Sequence, residues 1–204
     1  MDLTTAATAF ALVFPVELPD KTFIATLVLA TRYRAPLVWL GVGGAFLVQC
    51  LVAVTAGGLL GLLPEPVVLA AAALLFAVGA VVLWRGAGSA DEDEAAEEAS
   101  VRARTGQESQ GWRVVATSFG VLFVAEWGDL SQLLTAGLAA RSGDPVSVFA
   151  GSWLALVTVA GLAIVLGRTL LRFVSLSLIR RIAAAVCAVL AALAAYDAGR
   201  QLIS

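Results

Sequence analysis

Val16-Glu17-Leu18-Pro19-Asp20-Lys21-Thr22 sets three ionisable side chains in the middle of an apolar segment that runs from Leu3 to Ala30. A second stretch, Ala125-Glu126-Trp127-Gly128-Asp129-Leu130-Ser131, does the same inside another apolar segment. In each, a Glu and an Asp stand three residues apart, so on a helix or a short helical turn they share one face. One Asp, Lys or Arg at the centre of a membrane helix costs about 2.5 to 3.5 kcal/mol on insertion scales, so Glu17, Asp20, Lys21, Glu126 and Asp129 together oppose insertion by roughly ten kcal/mol or more. A structural ion pair, Lys21 with Glu17 at i, i+4, neutralises only one carboxylate. The remaining three call for an ion or substrate path, the usual role of intramembrane ionisable groups.

The rest of the composition sets the frame. The 204 residues are 60% hydrophobic and 14% charged, with a mean hydropathy of +0.94, which excludes a soluble domain and leaves room for six spans. No Lys or Arg precedes the first apolar run, so that run is expected to be kept as a span rather than removed as a secretory signal. There is no His, and Cys50 and Cys187 lie singly in apolar runs, so any metal here is bound by oxygen. The net charge of −2 and the confinement of arginines to loops leave no basic face for nucleic acid.

The spans fall at about Leu3 to Ala30, Leu37 to Leu63, Val67 to Trp84, Val114 to Ala140, Val146 to Gly167, and Ile182 to Ile203. Pro15 and Pro19 each remove a backbone donor and are expected to break the first helix. Residues 85–113, with Asp91-Glu92-Asp93-Glu94 and Glu97-Glu98, read as a solvated, disordered linker between a first three-helix repeat at 1–84 and a second at 114–204, and its deletion is expected to be tolerated. Loops after the odd-numbered spans hold Arg32, Arg34, Arg85, Arg102, Arg104, Arg113, Arg168, Arg172, Arg180 and Arg181, against Arg141 and Arg200 on the other side. That asymmetry places the linker in the cytoplasm and both termini outside, in a bacterial plasma membrane.

A shift of 109 positions superimposes the halves without a gap: Glu17 on Glu126, Asp20 on Asp129, Thr22 on Ser131, Arg32 on Arg141, Pro36 on Pro145, Phe10 and Phe14 on Phe119 and Phe123. Acidic, Arg and Pro matches at one offset are costly coincidences in so apolar a chain. With three spans per half, the second half enters the membrane in the opposite direction. The expected architecture is an all-α integral membrane protein of six transmembrane helices, arranged as two inverted three-helix repeats whose broken motif helices meet at the midplane.

Four carboxylates facing one another there form a hard oxygen cage for calcium, manganese or magnesium. Thr22, Ser131 and Gln132 offer neutral oxygens, Gln49 and its repeat-mate Thr158 could complete the shell, and backbone carbonyls freed at Pro19 and Gly128 could add to it. Emptied of its cation, the site is too negative for a low-dielectric pocket and is expected to hold protons shared among the carboxylates, with Lys21 as an internal counter-ion. Exchange of protons for a divalent cation follows.

Glu17-Leu18-Pro19-Asp20-Lys21-Thr22 and Glu126-Trp127-Gly128-Asp129-Leu130-Ser131 resemble the paired Glu-x-Gly-Asp-(Lys/Arg)-(Thr/Ser) signatures of the Golgi Gdt-one-type cation/proton exchanger family, formerly uncharacterised protein family sixteen. The resemblance covers the whole chain and implies manganese or calcium transport in exchange for protons, with the signature carboxylates as ligands. Pro19 stands where the family has Gly, and Leu130 where it has a base, leaving the pocket more negative than the family pattern. Two other readings stay open: an exporter of an amino acid or other organic cation, and an intramembrane hydrolase with Asp20 and Asp129 as its catalytic pair. Gly41, Gly43, Gly44, Gly57, Gly58 and Gly61 are expected to allow close helix packing. The Ala-rich last span fits either a monomer or a homodimer face. Trp39, Trp84, Trp112 and Trp153 read as interfacial anchors, and Trp127 as a wall of the site.

Overall fold

A computed structural model describes residues 1–18, 21–88, 95–96, 99–101, 103, 111–173 and 176–203, and eight helices carry most of the described residues. They are α1 (Leu3–Glu17), α2 (Lys21–Arg32), α3 (Ala35–Leu60), α4 (Glu65–Gly86), α5 (Trp112–Ala125), α6 (Leu130–Ser142), α7 (Pro145–Phe173) and α8 (Leu176–Ile203). The order short, short, long, long occurs twice. Among the described residues three stretches are long and apolar enough to cross a membrane, Ala35–Leu60, Val67–Gly86 and Pro145–Val165. The pair α5 and α6, bent by 76° at its break, makes a fourth when taken as one broken span, and Leu3–Glu17 and Thr22–Arg32 are shorter apolar helices. The molecule is an all-helical membrane protein built from two repeat halves.

The repeat is visible in the packing as well as in the order. Helix α1 packs on α7 as α5 packs on α3, and α2 packs on α7 as α6 packs on α3, so each half's short helices lie against the long helix of the other. The equivalence extends to side chains. Phe10 and Phe14 stack at 5.5 Å and 13° on α1, and Phe119 and Phe123 at 5.5 Å and 9° on α5. Gly41 of α3 meets the carbonyl of Val115 and the side chain of Ser118 on α5, and Gly151 of α7 meets the carbonyl of Ala6 and the side chain of Ala9 on α1. At these points a missing Cβ sets the interhelical distance. Helices α3 and α7 also join directly: Trp39 Nε1 donates to the carbonyl of Val157 at 3.2 Å, and Trp153 Nε1 to that of Gly43 at 3.0 Å. These two tryptophans tie helix to helix, whereas Trp84 and Trp112 are exposed as interfacial anchors would be. Helix α8 lies along α4 within the chain.

Two further expectations need correction. Pro15 does not break α1, which continues to Glu17 with Pro15 inside it; its ring costs one hydrogen bond but its fixed φ is helical. The linker between the halves is not solvated throughout. Residues 95–96, 99–101 and 103 are helical, and Val101 is buried in the main core because an isolated Val gains more from that contact than from water.

A polar clasp closes the end where α1 starts. Asp144 caps α7, accepting from the Ser147 amide at 3.1 Å and the Ser147 hydroxyl at 2.5 Å, and also accepts from the Asp2 amide at 2.9 Å. Those donors, Ser147 first and then Asp2, hold the Asp144 carboxyl down at about 2 from its ordinary 3.8. Because the folded value is the lower one, the clasp stabilises fully above pH 3.8 and its contribution is lost as pH falls through about 2. Asp144→Asn is therefore expected to lower the melting temperature of detergent-purified protein at pH 7, and to lower it much less near pH 2; equal losses at both would show that the charge is immaterial.

Candidate metal centre

The ends of α1 and α5 bring Glu17 and Glu126 into the bundle's interior. Glu17 is the last residue of α1, and Glu126 caps the C-terminus of α5 with its amide donating to Leu122. Both therefore sit where the helix dipole is negative, which favours a cation in front of them. Gly128, at φ +80°, takes the left-handed conformation that turns the chain between α5 and α6. Asp129 then becomes the N-cap of α6, its Oδ2 accepting from the Ser131 amide at 3.4 Å, so the start of that helix supports its negative charge.

Glu17, Glu126 and Asp129 each bring one carboxylate oxygen to within 4.8 Å of the other two. Oxygens on opposite sides of a calcium ion are about 4.6 to 5.2 Å apart, and on a magnesium-sized ion about 4.0 to 4.2 Å, so the three can close round one divalent cation with little movement. Glu17 is 0% and Glu126 2% exposed, with Asp129 intermediate. Asp20 lies outside the described residues, as does the side chain of Lys21. Next along α6, a cavity of about 10 Å³ is lined by Gln49, Cys50, Ala53, Ser131, Gln132, Thr135 and Leu156, room for roughly one water. Gln49 Nε2 donates to the carbonyl of Phe123 at 3.3 Å, and Gln132 Oε1 accepts from the Gly128 amide at 3.1 Å, bracing the turn. Thr22 is fully buried at the start of α2.

Thus three of the four expected carboxylates converge, with Gln49, Ser131 and Gln132 beside the small cavity. Two expectations fail. Thr158 is exposed and its hydroxyl donates to the carbonyl of Leu154 at 2.6 Å, so it is no counterpart to Gln49. Trp127 is 59% exposed and leans on Phe123 with ring centroids 5.0 Å apart, because the turn at Gly128 points it away from the bundle. Thr135 and Cys50 line the cavity without having been foreseen. Thr135 was available as the i+4 neighbour of Ser131 on an inward face; Cys50, next to Gln49, offered no sequence signal.

A helical membrane protein whose two repeat halves each deliver a buried acidic motif to one place is of the secondary-transporter class. The family described as divalent cation/proton antiporter GDT1 matches residues 5–91 and 114–202, one block in each half. The chain belongs to that family. It is 35% identical over 175 residues to the GDT1-like protein sll0615 of Synechocystis sp., covering 81% of this chain and 84% of that protein. It is 35% identical over 190 residues to the chloroplastic GDT1-like protein 1 of Oryza sativa subsp. indica, and 34% identical over 183 residues to the chloroplastic protein PAM71 of Arabidopsis thaliana. The chain spans about half the length of these plant relatives, 55% and 49%. No solved structure matches it. The family is one of transporters, not enzymes, which removes the intramembrane hydrolase from consideration.

Proposed function

We propose that Glu17, Asp20, Glu126 and Asp129 bind a divalent cation, manganese or calcium, and that protons replace it on the two glutamates when it leaves. The observation that carries this reading is the meeting of three carboxylate oxygens within 4.8 Å in a buried site. The division of labour follows from the helix ends. Asp129 caps the start of α6 through the Ser131 amide, while Glu17 and Glu126, at helix C-termini, favour a cation or a proton in front of them. Thr22, Ser131, Gln49 and Gln132 supply neutral oxygens or brace the turn, and Lys21 offsets the charge of the emptied site.

This reading takes α1 with α2 and α5 with α6 as two broken spans, which with α3, α4, α7 and α8 make six. The halves are then inverted repeats in a bacterial plasma membrane, with termini outside and residues 85–113 inside, as the arginine distribution requires. One chain holds the whole site, so a monomer suffices even where lipid-embedded copies pair. The test is cation uptake into proteoliposomes loaded with a pH dye, comparing manganese, calcium and magnesium. Manganese or calcium entry accompanied by proton exit is the expected result, and metal entry with no proton movement would defeat the exchange.

A further inference from the structure

Thr22 and Thr26 are both 0% exposed, and neither hydroxyl has a hydrogen-bond partner among the described residues. A helical threonine ordinarily gives its hydroxyl to a carbonyl three or four residues back, and others in this chain do so: Thr8 to Thr4 at 2.8 Å, Thr55 to Leu51 at 2.7 Å, and Thr31 to Val28 at 2.7 Å. Thr22 and Thr26 stand at i and i+4, one above the other on the face of α2 that leads away from the acidic motif. The next position in that row is Ala30. Together with Leu27 and Thr31 of α2 and Ile164 and Val165 of α7, Ala30 lines a cavity of about 380 Å³ at the arginine-rich end of α2. Two buried hydroxyls without partners among the described residues thus lie in a row along α2 between its start and that cavity.

In the other half the equivalent row borders the cavity of about 10 Å³. Ser131, Thr135 and Ala139 of α6 are the repeat equivalents of Thr22, Thr26 and Ala30. There Gly57 of α3 sits directly against the Ala136 carbonyl and the Ala139 side chain.

We infer that Thr22 and Thr26 line the cation's route between the carboxylate site and the arginine-rich face, with Thr26 a positioning residue whose hydroxyl replaces a water of the passing ion. The inference rests on the carboxylate reading above. A dehydrating divalent cation needs oxygen at each step, and along this row of α2 the oxygens are these two hydroxyls, unbonded to their own backbone, whereas the Thr31 hydroxyl at the cavity is given to Val28. Leaving a buried hydroxyl unpaired disfavours the fold, so replacing it by a methyl group separates transport from stability.

Thr26→Val keeps the branched shape and removes the oxygen; Thr26→Ser keeps the oxygen. In proteoliposomes, manganese/proton exchange is expected to slow roughly tenfold or more in Thr26→Val and to stay within about twofold of native in Thr26→Ser. The melting temperature of Thr26→Val is expected to equal or exceed the native one, and manganese affinity in detergent to stay within about twofold, since Thr26 lies outside the carboxylate cluster. Native exchange in Thr26→Val overturns the inference, as does slow exchange accompanied by a lower melting temperature, which marks a packing role. Failure of the carboxylate reading shows separately, as unimpaired exchange in Glu126→Gln.

Discussion

Glu126→Gln is expected to reduce cation/proton exchange by about 30-fold or more, because removing one charged partner of a buried ion costs about 2 to 5 kcal/mol. Gln keeps the volume and hydrogen-bonding outline of Glu, so the 2%-exposed site stays filled and the protein still inserts and folds. What it cannot do is carry a proton or balance a divalent charge at the C-terminal end of α5. Glu17→Gln, at the equivalent end of α1, is expected to behave alike. Asp129→Asn separates two roles of one residue. Asn caps a helix about as well as Asp, so α6 should keep its start and its melting temperature while exchange is lost with the charge. Uptake of manganese and calcium into proteoliposomes, with internal pH followed at the same time, measures all three. Native exchange in Glu126→Gln would place the cation elsewhere.

The sequence carried the two motifs, the repeat and the helical breaks for one physical reason: charge is so disfavoured in an apolar segment that its position is informative. Glu17 and Glu126 were legible on that ground alone, and the structure brings them together with Asp129. Neutral groups were less legible. Gln49 reaches the site and Thr158, its partner at the same offset, does not, because a hydroxyl can satisfy itself on its own helix and an amide side chain reaches past it. Trp127 was misjudged because its direction depends on the left-handed turn at Gly128, which a residue count does not reveal. Val101 was hidden for the opposite reason: one apolar residue among acidic neighbours carries no periodicity, yet it finds the core.

Glycines tell most about how the halves fit, and Gly151→Ala and Gly57→Ala are expected to destabilise the protein by about 1 to 3 kcal/mol each, the usual cost of overpacking a tight contact. A Cβ on Gly151 would meet the Ala6 carbonyl oxygen, with its carbon at 2.9 Å and the Ala9 Cβ at 3.0 Å. These are backbone and first side-chain atoms, so nothing but a shift of α1 against α7 relieves them. Gly57 faces the backbone of α6 in the same way, whereas a Cβ on the neighbouring Gly58 meets nothing within 4 Å. Gly58→Ala is therefore the control, expected to melt within about 0.5 kcal/mol of native. The two tight glycines differ in consequence. Gly151 holds α7 against α1, and Ala there should weaken the fold. Gly57 holds α3 against α6, the helix that Asp129 caps, so Ala there should also push the molecule toward the arrangement in which α3 and α6 part. Thiol labelling of cysteines introduced one at a time along α6, compared between native and Gly57→Ala backgrounds, reads that shift directly. Increased labelling at Ala136→Cys and Ala139→Cys is the expected result, and unchanged labelling with a native melting temperature would mean that α3 and α6 do not touch at Gly57.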